Sequence, residues 1–365
     1  MAESVLTVLV VDDSVLFRKI LSDVLGELDG VEVIGTASSG DIGLKKSQQL
    51  LPDVITLDVE MPGMDGLEVL QHLQQTSPDI IVVMISSVTR RGAKCTIQAL
   101  ENGALDFIEK AQFDNLEDNI RHLQGQLKRI FTVVTNKKLM GAPSVGTAVR
   151  ADRVQKKFEE QKNTKIDLIV IGVSTGGPQA LPVLFKSLST EINVPILIVQ
   201  HMPPLFIQEL VDSLNRKTEF EVVSAESYQE LKPNHVYIAP GGTQMKLIKL
   251  PHAEAPCILI TDDEPENFCK PSVDYMFRSV SDYYGDNILA LIMTGMGADG
   301  VLGLKKLKDK NATVFAQDEA SSVVYGMAMS AVKAGVVDQI IPLEDLSQAI
   351  ESRVNAHSVD RPKRC

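Results

Sequence analysis

Short apolar runs rich in β-branched residues alternate with helix-length segments along most of this chain, and that alternation constrains its fold more than any other feature. Within residues 1–125, five such runs are bounded by Gly, Pro or Asp and separated by segments such as Val15–Leu28 and Leu67–Gln75. Strands that alternate with helices in this way form a parallel sheet with helices on both faces. The five runs are Thr7–Val11, Val31–Ala37, Val54–Leu57, Ile80–Ile85 and Asp106–Ile108.

The same alternation resumes at Ile166 after a stretch of different composition. Residues 126–165 are predicted to form a polar, basic linker, because residues 136–165 hold eight Lys or Arg against three Asp or Glu. We expect residues 166–354 to form a second α/β domain, doubly wound and mainly parallel. We expect residues 355–365 to form a basic tail. The runs of the second domain are Ile166–Ile171, Val194–Val199, Val236–Ala239, Cys257–Ile260, Ile288–Met293, Thr313–Ala316 and Val336–Ile341.

Charge and cysteine usage argue against several classes of protein. A formal net charge of −12 repels phosphate backbones, so we expect no nucleic-acid partner. No apolar run reaches the length of a membrane span, and the start lacks a secretory pattern, so we expect a cytoplasmic protein that is not inserted in a membrane. The four cysteines show no Cys-x-x-Cys spacing and the six histidines no His-x-x-x-His pair, so no sequence motif supports a zinc site.

Carboxylates follow two of the predicted strands of the first domain. Asp12 and Asp13 come directly after the run Thr7–Val11, and Asp58 comes directly after Val54–Leu57. The carboxyl ends of parallel strands share one edge of the sheet, where ligands bind in open α/β folds. Three converging carboxylates need a cation to offset their repulsion, and oxygen ligands with open positions are suited to Mg²⁺.

Two further strand ends bring a hydroxyl and an ammonium to this edge. Ser86 follows the run Ile80–Ile85, and Lys110 follows Asp106–Ile108. A single aspartate, serine or lysine after a strand is typical of a helix cap, a turn or a solvated surface. Four such strand ends in one domain, with two carboxylates, a hydroxyl and an ammonium, instead predict a phosphoryl-transfer site. In that site Asp58 attacks phosphorus, Mg²⁺ neutralises charge, and the hydroxyl and the ammonium hold the product phosphate.

Three segments of the first domain carry a recognisable pattern. They are Val10-Val11-Asp12-Asp13-Ser14, Pro52-Asp53 with Asp58-Val59-Glu60-Met61-Pro62-Gly63-Met64-Asp65-Gly66, and Gly103-Ala104-Leu105-Asp106-Phe107-Ile108-Glu109-Lys110. With them, residues 5–125 resemble the receiver domains of response regulators. The resemblance implies a flavodoxin-like, five-stranded parallel fold, phosphorylation of Asp58 by a partner histidine kinase, and Phe107 at the aromatic switch position. Ala111 stands where that family usually has proline.

A serine lies in a sharp strand-to-helix turn at the start of the second domain. The run Ile166–Ile171 leads into Gly172-Val173-Ser174-Thr175-Gly176-Gly177-Pro178, where Gly-x-Ser-x-Gly stands between a strand and a helix, as in a nucleophile elbow. A glycine-rich turn that cradles a nucleotide phosphate is the alternative. The Lys-Ser/Thr of a P-loop and a complete Gly-x-Gly-x-x-Gly are both missing, so Ser174 is the favoured nucleophile.

A base and an orienting acid for Ser174 are predicted at the same sheet edge, because His201 and Asp299 each follow an apolar run. A histidine or aspartate found there singly is more often structural, but the shared edge predicts a Ser-His-Asp triad. Ser174 attacks an acyl carbonyl, His201 moves the proton, and Asp299 fixes the imidazole tautomer. The backbone amides of Thr175 and Met296 are the predicted oxyanion hole.

Six segments of the second domain form a further pattern. They are Gly172–Pro178, Gln200–Pro203, Ala239–Gly242, Lys270–Asp274, Met293–Gly300 and Ala316–Ala320. With them the chain resembles, over residues 5–350, the chemotaxis protein-glutamate methylesterase family. The resemblance implies hydrolysis of glutamate methyl esters, with release of methanol, and deamidation of glutamines on the cytoplasmic helices of chemoreceptors.

The resemblance also has implications for regulation and for individual residues. It implies phosphorylation by the chemotaxis histidine kinase and inhibition of the enzyme by the unphosphorylated receiver. It assigns the triad to Ser174, His201 and Asp299 and the Met296 amide to the oxyanion hole. It implies no cofactor in the catalytic domain.

Two other functions are compatible with part of the sequence. A receiver joined to a transcription effector requires a basic helix-turn-helix, whereas residues 166–350 are acidic and α/β in pattern. A receptor-binding module that has the fold without catalysis requires no reactive serine. The sequence favours the enzyme, acting on side-chain esters or amides of a protein.

Overall fold

A computed structural model describes residues 5–110, 115–140 and 164–356. The chain divides into two units, residues 1–144 and 145–365. Three parts of the sequence predictions lie outside the described residues: Ala111, residues 141–163 of the predicted linker, and residues 357–365 of the predicted tail.

Within the described residues, the first unit contains one sheet of five strands, which agree in position with the five predicted runs. They are β1 (Leu6–Val11), β2 (Val31–Ala37), β3 (Val54–Asp58), β4 (Ile81–Ser87) and β5 (Asp106–Lys110). Their spatial order is β2-β1-β3-β4-β5, and all neighbours pair in parallel. This is the flavodoxin-like order, so the predicted receiver fold is confirmed. Asp58 and Lys110 are the last residues of their strands rather than the residues after them.

Side chains fix the starting points of most helices in the described part of this unit. The helices are α1 (Val15–Gly26), α2 (Gly40–Leu50), α3 (Gly66–Thr76), α4 (Arg90–Glu101) and α5 (Leu116–Met140). Ser14, Ser39, Asp65 and Thr89 each accept a hydrogen bond from the backbone amide three residues later. At α3, Glu68 bonds back to the Asp65 amide and completes a capping box. These caps set the first residues of the helices that follow β1, β2, β3 and β4.

Helix α5 carries the first unit beyond residue 125, where the composition placed the start of the linker. Its residues Leu127, Ile130, Phe131 and Val134 are buried, and the helix packs against α1 and β5. These four residues recur at the helical spacing of a core-facing stripe. Polar residues lie between these four, so the average composition of the segment is polar and basic. The predicted start of the linker, residue 126, therefore lies inside α5.

The described part of the second unit contains nine strands. They are β6 (Leu168–Val173), β7 (Ile196–Gln200), β8 (Glu221–Ser224), β9 (His235–Ile238), β10 (Gln244–Ile248), β11 (Cys257–Thr261), β12 (Ile288–Ile292), β13 (Thr313–Gln317) and β14 (Gln339–Ile341). Seven of them form a parallel sheet in the order β14-β13-β12-β6-β7-β9-β8, and β10 pairs with β11 in an antiparallel hairpin. The predicted doubly wound, mainly parallel architecture is confirmed.

Six helices accompany these strands in the described residues. They are α6 (Gly177–Ser187), α7 (Pro204–Asn215), α8 (Val273–Ser281), α9 (Val301–Asp309), α10 (Met327–Lys333) and α11 (Leu346–Asn355). One face of the central strands packs on α8 and α9 through Val170, Ala290, Phe277 and Leu304, all fully buried. No helix among the described residues is both long and apolar enough to cross a bilayer.

Two strands of the second unit were not predicted, and one predicted run lies outside the main sheet. Glu221–Ser224 is a short edge strand with partly exposed residues, and Gln244–Ile248 contains Gln and Lys, so neither forms an apolar run. The run Cys257–Ile260 was expected among the parallel strands, but it pairs with β10 in the hairpin. An apolar run marks a buried strand and does not identify its partner.

The order of strands places β6 at the position where the chain reverses its winding. Strand β7 lies on one side of β6 and β12 on the other. Connections from β6 and from β12 therefore leave the sheet in opposite directions and open a crevice at the carboxyl ends of these strands. Ser174, His201 and Asp299 all follow one of these three strands.

Candidate active site and acidic pocket

The acidic pocket of the first unit forms at the carboxyl ends of β1, β3 and β5. Lys110 Nζ lies 2.7 Å from Asp58 Oδ2 and 2.7 Å from Asp12 Oδ2, so one ammonium bridges both carboxylates. Asp12 and Asp58 are buried, whereas Asp13 is exposed. One oxygen from each of the three carboxylates lies within 4.8 Å of the others. The structure therefore brings together the three predicted magnesium ligands.

The charges of this pocket are not balanced. Burial raises the pKa of the Asp58 carboxyl to about 6, because the attraction of Lys110 only partly offsets desolvation and the Asp12 carboxylate adds repulsion. Burial acts to lower the pKa of Lys110, but the two carboxylates outweigh it and raise that pKa. The lysine stays charged and is a single positive charge among three carboxylates, which favours the binding of a cation.

The other two predicted switch residues are buried in the first unit. Ser86 is fully buried, and its hydroxyl accepts a hydrogen bond from the Thr96 hydroxyl of α4 at 2.8 Å. No hydrogen bond between Ser86 and Asp58 occurs among the described residues. Phe107 lies inside β5 and is 8% exposed. The roles of both residues in holding or reporting a phosphate stay predictions.

Ser174 lies directly after β6, in the turn that starts α6. Gly176 is the N-cap of that helix with φ of 85°, in the left-handed region that glycine adopts without strain. Gly295 approaches the serine so closely that a methyl group there would lie 2.7 Å from Ser174 Cβ. These glycines allow the sharp turn and leave Ser174 partly exposed at the sheet edge.

His201 follows β7, the strand next to β6, and is thereby placed beside Ser174. The strand register pairs Val173 with Gln200. The Gln200 side-chain amide donates to Ser174 O at 3.0 Å and to His201 O at 3.2 Å, which ties the two strand ends together. In the part of the chain that the structure describes, no hydrogen bond joins the Ser174 hydroxyl to the imidazole. Such bonds often form only when substrate binds.

Asp299 orients the imidazole of His201. The ring Nε2 lies 2.8 Å from Asp299 Oδ2, and both side chains are largely shielded from solvent. Because a carboxylate can only accept, Nε2 carries the proton and donates to Asp299. Nδ1 then carries the lone pair of the neutral ring, and it is the atom that would take a proton from Ser174.

The N-terminus of α8 holds the Asp299 carboxylate. The backbone amides of Val273 and Asp274 donate to it at 2.7 and 3.0 Å, and the Ser272 hydroxyl donates at 2.9 Å. Burial alone acts to raise the pKa of Asp299, but the bond from His201 and these backbone bonds lower it to about 2. Asp299 is therefore ionised throughout the neutral range.

The positive charge of a protonated His201 is stabilised in place. Burial acts to lower the pKa of the imidazole, but the hydrogen bonds with Asp299 and Cys269 outweigh burial and raise the pKa to about 9. The Cys269 Sγ lies 3.8 Å from Nδ1 and within 4.8 Å of an Asp299 carboxylate oxygen. A stabilised imidazolium suits a group that must hold a proton between two steps of acyl transfer.

The two predicted oxyanion amides lie on the turn after β6 and the loop after β12. The Met296 amide donates no hydrogen bond to any described residue, so it is free to bind a ligand oxygen. Thr175 follows Ser174 at the N-terminal end of α6, where backbone amides favour negative charge. Thr294 Oγ1 donates to Thr175 O at 2.9 Å and connects the two segments. Their role as an oxyanion hole stays a prediction.

Sequence reasoning assigned no role to four residues that support this site, namely Gln200, Asn267, Cys269 and Ser272. Gln200 and Ser272 lie in segments that carry the family resemblance, and that position was the signal that could have indicated them. Asn267 donates to Asp299 Oδ1 at 3.2 Å and to Asp274 Oδ2 at 3.0 Å from a loop that contains no motif. Cys269 lies in the same loop.

Comparison with known proteins identifies relatives of both units. Family models described as CheB methylesterase and as response regulator receiver domain match residues 169–350 and 8–121. The Desulfotalea psychrophila protein named protein-glutamate methylesterase/protein-glutamine glutaminase is 45% identical over 362 residues, covering 96% of this chain and 99% of that protein. The Bacillus subtilis protein of the same name is 39% identical over 357 residues, covering 96% and 99%. The solved CheB methylesterase catalytic domain of Thermotoga maritima is 34% identical with a TM-score of 0.49, covering 51% of this chain and 98% of that one.

These matches extend over both units rather than over one shared domain. Each of the two relatives is aligned over 96% of this chain and 99% of its own length, so the alignments extend across both the receiver and the methylesterase region of this chain. This chain belongs to the protein-glutamate methylesterase/protein-glutamine glutaminase family and is a hydrolase with an N-terminal receiver domain.

Proposed function

We propose that this chain is a phosphorylation-activated serine hydrolase of chemoreceptors in the cytoplasm. It removes methyl groups from glutamate methyl esters, releasing methanol, and deamidates glutamines on the cytoplasmic receptor helices. The unphosphorylated receiver inhibits the catalytic unit until a chemotaxis histidine kinase phosphorylates Asp58. The names of the relatives and the pairing of the two domains support this proposal.

The observation that carries the catalytic part of the proposal is the arrangement of three side chains at the crevice. Asp299 holds Nε2 of His201 at 2.8 Å, and His201 follows the strand next to that of Ser174. The order Ser-His-Asp differs from that of the α/β-hydrolases, where the acid precedes the histidine. The arrangement therefore serves acyl transfer on a different doubly wound sheet.

Hydrolysis then proceeds through an acyl-enzyme. Ser174 Oγ attacks the ester carbonyl carbon while its proton passes to His201 Nδ1, and the amides of Thr175 and Met296 stabilise the oxyanion. The imidazolium protonates the departing methoxide, which leaves as methanol. Water attacks the acyl-enzyme as its proton passes to the same nitrogen, and the products are a glutamate side chain and free Ser174. A glutamine follows the same path with ammonia as the leaving group.

Mg²⁺ is the proposed cofactor of the receiver. The donor set fits it, because three carboxylates converge within 4.8 Å and carry more negative charge than Lys110 offsets. Asp12, Asp13 and Asp58 are the residues that would hold the ion. When bound it would supply positive charge to the oxygens of a phosphoryl group. Lys110 holds the oxygen of Asp58 in position for attack on phosphorus.

If Asp58 is the phosphorylation site, the variant Asp58→Asn should not be activated by a phosphodonor. We expect acetyl phosphate with Mg²⁺ to stimulate esterase activity of the intact chain at least about tenfold, because phosphorylation shifts the population from inhibited to active. Asp58→Asn should keep its basal activity and lose the stimulation, since the amide is a poor nucleophile. Asp79→Asn, an exposed aspartate on the same unit, is the matched control and should respond as the wild type does. Equal stimulation of Asp58→Asn and wild type would refute the switch.

An exposed aromatic residue beside the active site is a proposed contact for the protein substrate. Phe268 is 103% exposed, although a phenyl ring is costly to leave in water. Phe268 and Asn267 have φ of 62° and 51°, a strained conformation that the Asn267 bonds to Asp274 and Asp299 hold in place. Phe268 directly precedes Cys269, whose sulfur lies 3.8 Å from His201 Nδ1, and we propose that its exposed ring packs on the substrate that flanks the target glutamate.

We expect Phe268→Ala to raise KM for a methylated receptor fragment by about tenfold, the equivalent of burying much of one aromatic side chain. Its kcat/KM for a small ester such as p-nitrophenyl acetate should stay at the wild-type value, because the small ester does not reach the ring. Tyr228→Ala is the control, since Tyr228 is also an exposed aromatic with positive φ, at 63% and 67°. A parallel loss on both substrates would show that Phe268 only supports the loop.

The substrate assignment is tested by incubating the phosphodonor-activated enzyme with methylated receptor fragments. Mass spectrometry should show loss of methyl groups from glutamate and conversion of particular glutamines to glutamate. Methanol and ammonia should appear in matching amounts. Activity on small esters with no change in any receptor fragment would retain the hydrolase and reject the proposed substrate.

A further inference from the structure

We propose that Thr294 is a positioning residue of the catalytic unit, whose hydroxyl fixes the nucleophile turn against the loop that carries the Met296 amide. Thr294 lies two residues after the end of β12 and two residues before Met296, and it is fully buried. The inference rests on the proposed serine mechanism and deepens it. Thr294 acts through the turn at Ser174 and not on the substrate itself.

The paired strands β6 and β12 continue as hydrogen-bonded backbone beyond their ends. Their register ends with Gly172 opposite Ile292. The Met293 amide then donates to Gly172 O at 3.0 Å, and the Ser174 amide donates to Thr294 O at 3.0 Å. These backbone bonds align the main chain of the nucleophile with Thr294, and they do not depend on the side chain at position 294.

The side chain of Thr294 adds a bond to the residue after the nucleophile. Its hydroxyl donates to Thr175 O at 2.9 Å and accepts from the Val324 amide at 3.1 Å. Val324 O is a more distant acceptor, at 3.4 Å, so the hydroxyl proton goes to Thr175 O. Gly176 packs against the same hydroxyl, since a Cβ there would lie 2.8 Å from Thr294 Oγ1. The hydroxyl thus joins the nucleophile turn, the loop after β12 and the loop that contains Val324.

These bonds bear on catalysis because the two predicted oxyanion amides come from different segments. An amide stabilises an oxyanion when it lies about 2.7–3.1 Å from the oxygen that develops charge. Thr175 and Thr294 are 119 positions apart in the chain, so their spacing depends on contacts between the two segments. Without the hydroxyl, the turn is free to shift relative to the Met296 amide. Substrate binding is then retained, but the transition state loses part of its stabilisation.

Three substitutions separate a positioning role from a purely structural one. Thr294→Val replaces the hydroxyl with a methyl group of similar size, whereas Thr294→Ser keeps the hydroxyl. Thr313→Val is the matched control, because Thr313 is also buried and its hydroxyl accepts from Arg353 Nε at 3.0 Å. Thr313 is the first residue of β13, at the sheet edge away from Ser174. Thr294→Ala takes the place of Thr294→Val if the valine variant does not fold.

The kinetic measurement uses the intact chain with Mg²⁺, acetyl phosphate and p-nitrophenyl acetate. We expect Thr294→Val to lower kcat at least about tenfold and to leave KM within about twofold of wild type, the pattern of an interaction made only in the transition state. The loss is smaller than the roughly 10²–10³-fold typical of deleting an oxyanion donor, because both amides remain. Thr294→Ser should keep kcat within about threefold of wild type. Thr313→Val should have the kcat of wild type.

Fluorophosphonate labelling of Ser174 provides a readout that a folding defect does not reproduce. A folding defect lowers the fraction of the protein that is finally labelled, whereas displaced amides lower the labelling rate and leave that fraction unchanged. We expect the second result for Thr294→Val, with the rate reduced by about the same factor as kcat/KM.

Three outcomes would overturn the proposal. They are equal labelling rates in Thr294→Val and wild type, equal losses of rate in Thr294→Ser and Thr294→Val, and a reduced labelled fraction that accounts for the whole loss in Thr294→Val. A wild type that is not labelled at Ser174 would reject the serine mechanism and this proposal with it. Labelling does not involve the receptor, so the result is independent of the substrate assignment.

Discussion

Replacing Ser174 with alanine is expected to abolish hydrolysis while leaving the protein folded. The hydroxyl makes no hydrogen bond to any described residue, and the residue lies partly exposed at a turn, so its removal costs little stability. Loss of the nucleophile should lower kcat by on the order of 10⁴-fold or more, by analogy with other serine hydrolases. Methanol release from a methylated receptor fragment is the direct measurement, and labelling by a fluorophosphonate should disappear with it.

The interdependence of Ser174 and His201 provides the control for this result. His201→Gln should also remove fluorophosphonate labelling, because the serine is unreactive without a base. The double variant should be no slower than either single variant, since groups that act in one step lose their effect together. Strictly additive losses would mean that the two residues act in separate steps. Retained turnover in Ser174→Ala would remove this serine from the mechanism.

Replacing Asp299 with asparagine should have the second large effect. The isosteric amide preserves the volume of the buried carboxylate, but an amide NH₂ in place of Oδ2 cannot accept a hydrogen bond from Nε2–H. The imidazole then carries its proton on Nδ1, which is the wrong tautomer for taking a proton from Ser174. We expect kcat to fall by about 10⁴-fold, the loss typical of this substitution in a Ser-His-Asp triad. A kcat within tenfold of wild type would contradict the role of Asp299.

The pH dependence separates the two roles of Asp299, which are fixing the tautomer and stabilising the imidazolium. Hydrogen bonds with Asp299 and Cys269 raise the pKa of His201 to about 9, against the lowering effect of burial. Because only the neutral imidazole is a base, the wild-type rate should rise with increasing pH up to that pKa and level off above it. In Asp299→Asn the pKa falls, so the rising part of the profile should move to lower pH while the plateau drops. A profile that keeps its midpoint in the variant would show that Asp299 does not stabilise the imidazolium.

Much of the candidate site was predictable because strand ends in a parallel sheet obey a local rule. The residue after a buried apolar run lies at the carboxyl edge, and Asp12, Ser86, Ser174 and His201 all follow such runs. Parallel pairing then places these ends together whatever the intervening helices contain. The end of the first domain was predicted too early because no apolar run marks α5. The buried residues of α5 recur only every three or four positions within a polar segment.

Contacts between segments distant in the chain could not be predicted in this way. The loop with Asn267 and Cys269 has no periodicity and no motif, and its importance arises only because the hairpin and α8 bring it against His201 and Asp299.

The amino-acid sequence alone determined the two α/β units and predicted both the sheet edge of the candidate site and its nucleophile, base and acid. It did so because the length of a strand, its burial and the turn that follows it all depend on residues close together in the chain. Only the tertiary structure decided which imidazole nitrogen faces Asp299, that α8 cradles the carboxylate, and that a thiol approaches the other nitrogen. Those features depend on side-chain orientation between segments up to 98 residues apart, and no local pattern encodes that orientation.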